Sequence, residues 1–193
     1  NLYKTYIETK DGECNEINEL IRRVTEEQIY SLRKELSIEL ENKNYDKAFD
    51  YTEEIIKVDN NLMEEMGKLQ DKINTLKIQN KLENAEENRK NEKYSASIKI
   101  YQDILEEFEP EPNRKIQIET MIKDIKGLQV KSYEEKAKEN ISVNDFKKAK
   151  KYSGYIRKID PEKGDEINKL IEENEELHET RMKSITKKDI TNI

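Results

Sequence analysis

A segment that begins at an aromatic residue occurs three times in this chain and constrains its fold more than any other feature. The copies start at Tyr45, Tyr94 and Phe146, each directly after a polar turn. A small residue follows three positions later, and an isoleucine stands ten positions after the aromatic: Ala48, Ser97 and Ala149, then Ile55, Ile104 and Ile156. Repetition of this kind indicates a repeat architecture, in which each unit buries its apolar face against its neighbours.

Segments with apolar residues at spacings of three and four positions alternate with these copies, and that spacing predicts amphipathic helices. The predicted order is a long helix followed by a short one, three times over, and then a final helix. Asn44 is a natural helix N-cap, and Pro112 fits the first turn of a helix, where a missing N–H is harmless. Asp160 and Pro161 combine both signals and predict the start of the last helix.

We therefore predict an all-α fold of stacked antiparallel helical hairpins that ends in a C-terminal capping helix. A single domain is predicted over residues 14–187, with a flexible lead-in at residues 1–13 and a tail at residues 188–193. The lead-in has no sustained helical stripe and contains the turn signal Asp11-Gly12. The hairpin units and the capping helix are predicted at residues 14–59, 60–109, 112–160 and 161–187.

The composition agrees with thin layers of helices. Hydrophobic residues make up 33% of the chain and charged residues 41%, against about 45–50% and 25% in ordinary soluble domains. That balance suits either amphipathic helices or a disordered chain, and the periodicity favours helices. The net charge of −7 argues against nonspecific binding to nucleic acid. No apolar run approaches the ~20 residues that span a bilayer, so we expect no membrane insertion in this segment.

The helix pairs resemble those of the tetratricopeptide repeat (TPR) family over roughly residues 29–161. The third pair fits the family pattern best, whereas Leu36 in the first pair stands where the family has a small residue. The residues that carry the resemblance are Tyr45, Ala48 and Asp59, then Ala85, Tyr94, Ser97 and Tyr101, then Tyr133, Ala137, Phe146, Ala149, Asp160 and Pro161. The resemblance implies a right-handed superhelical stack.

The repeat period departs from that family. The leading aromatics are 49 and 52 residues apart (94 − 45 and 146 − 94), whereas a TPR unit has about 34 residues. The extra residues fall in the long helices, which begin a few turns early. Units lengthened in this way should still stack, but the pitch and the groove shape do not carry over from the family.

The resemblance implies a non-catalytic protein–protein interaction module, because the long helices of TPR-like stacks hold a peptide or a helix of a partner protein. The candidate partner-binding residues flank the apolar stripe of the three long helices: Tyr30, Arg33, Ser37, Gln79, Glu83, Glu86, Lys131, Glu134 and Lys138. Aromatic and arginine side chains dominate many interfaces, so Tyr30, Arg33 and Tyr133 are the expected anchors.

A second hypothesis is an elongated helical spacer that oligomerises within a bacterial envelope or cytoplasmic assembly. Its basis is the apolar seam from Leu62 to Leu76, which has coiled-coil spacing. Ile171 and Leu177 of the last helix are expected to be exposed, because no further repeat covers them. Either surface allows a homodimer.

Catalytic, cofactor and metal sites are not expected. His178 is the only histidine and has no evident nucleophile beside it, and Cys14 is the only cysteine. Zinc sites need several such ligands. The five glycines are scattered, so no phosphate-binding loop is predicted.

The sequence says little about location. The chain starts at Asn1 without a methionine, so we expect an excised or processed piece of a longer protein. A cytoplasmic location is slightly favoured, and an extracytoplasmic domain of an anchored protein is also allowed.

Overall fold

The computed structural model describes the backbone of residues 2–191 and the side chains of residues 14–184. This part of the chain is built from seven α-helices and no strands, which confirms the all-α prediction. The helices are α1 (Leu2–Glu41), α2 (Tyr45–Val58), α3 (Met63–Lys90), α4 (Tyr94–Phe108), α5 (Pro112–Ser142), α6 (Phe146–Arg157) and α7 (Pro161–Thr191), with a 3₁₀ turn at Asn60–Leu62. Each short helix begins at its predicted aromatic, and Pro112 and Pro161 begin α5 and α7 as predicted.

The turn between a long helix and the following short helix has the same backbone geometry in all three copies. Its left-handed residue is Lys43, Glu92 or Asn144, with φ of 58°, 57° and 58°. The next N–H donates to the carbonyl five residues earlier, in the pairs Asn44–Glu39, Lys93–Asn88 and Asp145–Asn140, at 2.8, 2.9 and 2.8 Å. This is the Schellman motif, which ends a helix while pairing its last carbonyls. The repeat is therefore present in the backbone as well as in the sequence.

The small residue of each copy lies where two helices approach closely. Ala48, Ser97 and Ala149 are all 0% exposed, and their N–H groups close the first turn of the short helix at 3.0 Å. The Ser97 hydroxyl also donates to the Ala85 carbonyl of the preceding long helix at 2.7 Å. A larger side chain here would push the helices apart, because helix surfaces pack through interlocking ridges and grooves.

The chain divides into two compact units, Asn1–Lys81 and Leu82–Ile193. In the first unit α1 packs against α2, and the core contains Leu36, Ile55 and Met66. The first half of α3 closes this core, since Gln70 donates to the Thr52 hydroxyl at 2.8 Å. Leu62 and Leu69 of the predicted seam pack against the same core, so this part of the seam has a partner in its own chain.

In the second unit the long helix α5 packs against two short helices. Both α4 and α6 pack on α5, and α7 covers α6. The larger core of this unit joins α5, α6 and α7 and consists of Ala137, Phe146, Ala149, Ile156, Ile167 and Ile171.

The α6 and α7 helices approach closely at Gly164. A Cβ atom on Gly164 would lie 2.5 Å from the Arg157 Cα atom, far inside van der Waals contact. Asp160 caps the same end of α7, because its carboxylate accepts a hydrogen bond from the Lys163 N–H at 3.0 Å. The sequence prediction of a helix start at Asp160 and Pro161 is therefore confirmed.

Several local predictions are wrong. The first helix begins at Leu2, not near Cys14, because a single Gly12 costs a helix only ~1 kcal/mol and no proline stops it. At the other end α7 continues beyond the predicted boundary at Lys187 to Thr191, and residues 192–193 of the predicted tail lie outside the described residues. Asn44 does occupy the N-cap position of α2, but its side chain makes no cap bond, whereas Asp145 at the equivalent position of α6 accepts one from the Lys148 N–H. The single domain over residues 14–187 stays a prediction.

Candidate partner-binding groove

The second unit contains a groove between the C-terminal part of α3 and the N-terminal half of α5. Two adjoining depressions of about 490 and 250 Å³ form it, and Met121 lines both. Leu82 faces the first depression, while Glu86 and Arg89 face the second. Residue numbers therefore rise in the same direction on both walls, so the two helices run parallel here. We call this surface the α3–α5 groove.

Apolar side chains are exposed along the α5 wall of this groove. Met121 keeps 46% of its surface exposed and Leu128 keeps 39%. Between them Ile125 is buried and belongs to the helix contact. The apolar face of α5 is thus wider than the part of it that packs within this unit, and the apolar side chains left exposed lie in the groove.

Charged groups border the apolar strip. Arg89 donates two hydrogen bonds to Glu86, at 2.7 and 2.5 Å. The hydrogen bond from Arg89 lowers the pKa of the Glu86 carboxyl, so both groups carry their charges at neutral pH. Arg114 and Asp124 of α5 line the groove as well.

Tyr101 of α4 lies beneath this part of the groove. It is almost fully buried, and its ring meets Ile125 and Leu128 at the edge of the depression. Burial raises the pKa of the Tyr101 hydroxyl, and the Glu86 charge adds to the effect. The phenol therefore stays neutral at physiological pH and is available as a hydrogen-bond donor.

Only one of the nine predicted partner-binding residues, Glu86, lines this groove. Glu83 and Lys131 are exposed on α3 and α5 outside it. Glu134 is held instead by Lys138, at 2.7 Å, and by Lys163 of α7, at 3.7 Å. Glu134 and Lys138 thus form an ion pair within α5, and the pair of Glu134 with Lys163 joins α5 to α7.

The remaining predicted residues belong to the first unit. Tyr30 is 75% exposed and lines a depression of about 400 Å³ with Arg23, Glu26 and Glu27. Arg33 forms a two-pronged ion pair with Glu65 at 2.8 and 3.0 Å. Ser37 donates to the Arg33 carbonyl at 3.0 Å, and Gln79 is exposed on α3. Arg33 is therefore already engaged by its own chain.

The groove residues Met121 and Leu128 were absent from the sequence-based site because both fall on the predicted core stripe of α5. A signal was present, since the adjacent pair Met121-Ile122 widens that stripe beyond one helix face. Two neighbouring apolar positions cannot both point into a single narrow contact.

Histidine and cysteine often take part in catalysis or metal binding, and the structure shows what surrounds His178 and Cys14. The His178 ring packs on Phe146 with the ring centroids 5.8 Å apart, and Cys14 is an exposed free thiol. Among the described side chains, no group of three or more His, Cys, Asp or Glu could hold a metal ion. No helix in the described part of the chain has the length and apolarity needed to cross a membrane.

Comparisons of this chain with protein-family models, with curated proteins and with solved structures found no match.

Proposed function

We propose that this chain is a non-catalytic protein-interaction module that binds a peptide or a helix of a partner protein in the α3–α5 groove. The observation that carries the proposal is the exposure of Met121 and Leu128 within a groove between two parallel helices. Exposed apolar side chains rimmed by charges are typical of interaction sites. The TPR resemblance supports the same assignment, because the long helices of that family hold partner segments.

The lining of the groove suits recognition by a few anchors. Met121 is unbranched and adapts to different apolar partners, and Leu128 and Tyr101 line the same depression. The paired charges of Glu86 and Arg89 border this surface and would favour one orientation of a bound segment. A few central side chains carry most of the energy of such an interface.

A peptide-display selection on the folded protein tests this proposal. Peptides selected on the wild type are measured against the double variant Met121→Gln/Leu128→Gln, which removes apolar surface without changing charge. We expect their affinity to fall by about tenfold or more, the effect of losing two interface anchors.

The matched control is Ile116→Gln on the same helix. Ile116 is 60% exposed and lies outside the groove, so its replacement should change affinity less than about twofold. Equal losses of affinity in both variants, or selected peptides that bind the double variant as tightly as the wild type, would contradict the groove assignment.

The second candidate function, an oligomerising helical spacer, is favoured by a different surface. Ile17, Leu20, Ile21 and Val24 form one stripe of α1 and are 57%, 60%, 58% and 54% exposed. Such a stripe suits pairing with the same stripe of a second copy. Sedimentation distinguishes this candidate, because an interaction module needs no self-association.

A further inference from the structure

A second pocket lies where α4, α5 and α6 meet, on residues that the α3–α5 groove does not use. Its volume is about 340 Å³. The side chains that define its polar surface are Ser95 of α4, then Lys126, Gln129 and Tyr133 of α5, then Tyr155 and Lys158 at the end of α6. No aspartate or glutamate lines it, although the chain contains 43 of these residues.

Gln129 orients the hydroxyl groups of this pocket. Gln129 is buried, with 7% of the residue exposed. The amide nitrogen donates to the Ser95 hydroxyl at 2.8 Å and to the Tyr133 hydroxyl at 3.2 Å. Both hydroxyl oxygens therefore act as acceptors toward Gln129, and their own protons remain to be donated elsewhere. The pocket presents hydrogen-bond donors and lacks carboxylate acceptors.

Positive charge surrounds these donors. Lys126 and Lys158 form no ion pair with any described side chain, so both ammonium groups are available. Lys151 adds a third charge, with its Nζ atom 5.8 Å from the centre of the Tyr155 ring. The α6 helix has five basic residues and no acidic one. Three of them, Lys148, Lys150 and Arg157, are ion-paired with acidic residues outside the helix, so the charge at the pocket comes from Lys126, Lys158 and Lys151.

We propose that this pocket binds an acidic segment of a partner protein by placing one of its carboxylates between Lys126 and Lys158. Hydroxyl and ammonium donors that line one pocket can stabilise an ionised carboxylate, because charge-assisted hydrogen bonds are the strong ones. Lys151 lies seven residues from Lys158, or about 10 Å along the helix, so it meets a second carboxylate of an extended acidic peptide. Nucleic acid is less suited, because stable phosphate tracking uses more cations than this patch offers.

Fluorescence polarisation with a labelled oligoglutamate peptide at low salt tests the proposal. Lys126→Ala/Lys158→Ala should weaken binding by about tenfold, and Tyr155→Phe by about threefold because only a hydroxyl is lost. The charge-matched control Lys147→Ala/Lys169→Ala, which leaves the pocket intact, should change affinity less than about twofold. Circular dichroism establishes that each variant is folded.

Three results would overturn the proposal: no binding of oligoglutamate, equal losses in the pocket and control variants, or tighter binding of an oligothymidylate of equal charge. The last result would indicate a nucleic-acid surface. Met121→Gln/Leu128→Gln should leave the oligoglutamate affinity unchanged, so the outcome here is independent of the α3–α5 groove.

Discussion

Gly164 shows how one residue sets the distance between two helices. Its φ is not positive, so glycine is not required by the backbone conformation. Glycine is required because the Arg157 backbone of α6 lies too close to leave room for a side chain. We expect Gly164→Ala to lower the free energy of unfolding by about 1–3 kcal/mol, the usual effect of overpacking. Urea denaturation measures the change.

Gly127 on α5 is the matched control for that substitution. A Cβ atom there meets nothing within 4 Å. Gly127→Ala should therefore stabilise the protein by up to about 1 kcal/mol through helix propensity alone. If both alanine variants shifted stability in the same direction, the close approach of α6 and α7 would be wrong.

The left-handed turn residues make a second prediction at this scale. Glu92 adopts φ 57° without the freedom of glycine, a conformation that costs roughly 1–2 kcal/mol. Glycine also gives the unfolded chain more conformational freedom, which offsets about 0.4–1 kcal/mol of the strain that it relieves. Glu92→Gly should therefore raise the free energy of unfolding by about 0.5–1 kcal/mol. Asn144→Gly should raise it less, because asparagine tolerates this region; a larger gain at Asn144 would contradict the turn geometry.

At the scale of the element, the attachment of α7 to α5 depends partly on Glu134. The hydrogen bond from Lys138 is the main cause that lowers the pKa of Glu134, and Lys163 of α7 adds to it. Because the pKa is lowered on folding, the stabilisation is fully present above the ordinary pKa of 4.5 and is lost as the pH falls below that value through the lowered pKa of the folded protein.

Glu134→Gln should therefore lower the free energy of unfolding by about 0.5–1 kcal/mol at pH 7, with a smaller difference at pH 3, where the carboxyl is more protonated. Denaturation at both pH values measures this effect. Glu135→Gln is the control, since Glu135 is exposed and forms no ion pair with a described side chain. A Glu134 effect that persisted unchanged at low pH would show that charge is not its cause.

The sequence was sufficient to predict the helices but not to predict which of their faces stay exposed. The aromatics, the small residues and Pro112 identified where helices begin and which face is buried, because those constraints are local. Ile171 was expected to be exposed, yet it is 0% exposed, because α7 packs its apolar stripe directly on α6. The α3–α5 groove was missed for a related reason: it depends on how much of α5 the neighbouring helices leave open, and that is set by tertiary packing.

For the whole molecule, self-association separates the two candidate functions. If the α1 stripe pairs two copies, the wild type should sediment as a concentration-dependent dimer. Leu20→Gln/Val24→Gln should then convert it to a monomer, because polar side chains at the seam of a coiled coil weaken it. A wild type that stays monomeric at high concentration would contradict the spacer hypothesis, and the interaction module would be the remaining candidate.

Methionine-methyl NMR tests the central claim most directly, because the chain has only four methionines. A peptide selected on the wild type is titrated into protein labelled at the methionine methyl groups. Binding in the α3–α5 groove predicts that the Met121 signal shifts, while the buried Met66 and the 54% exposed Met63 do not. A stationary Met121 signal at saturating peptide would contradict the account.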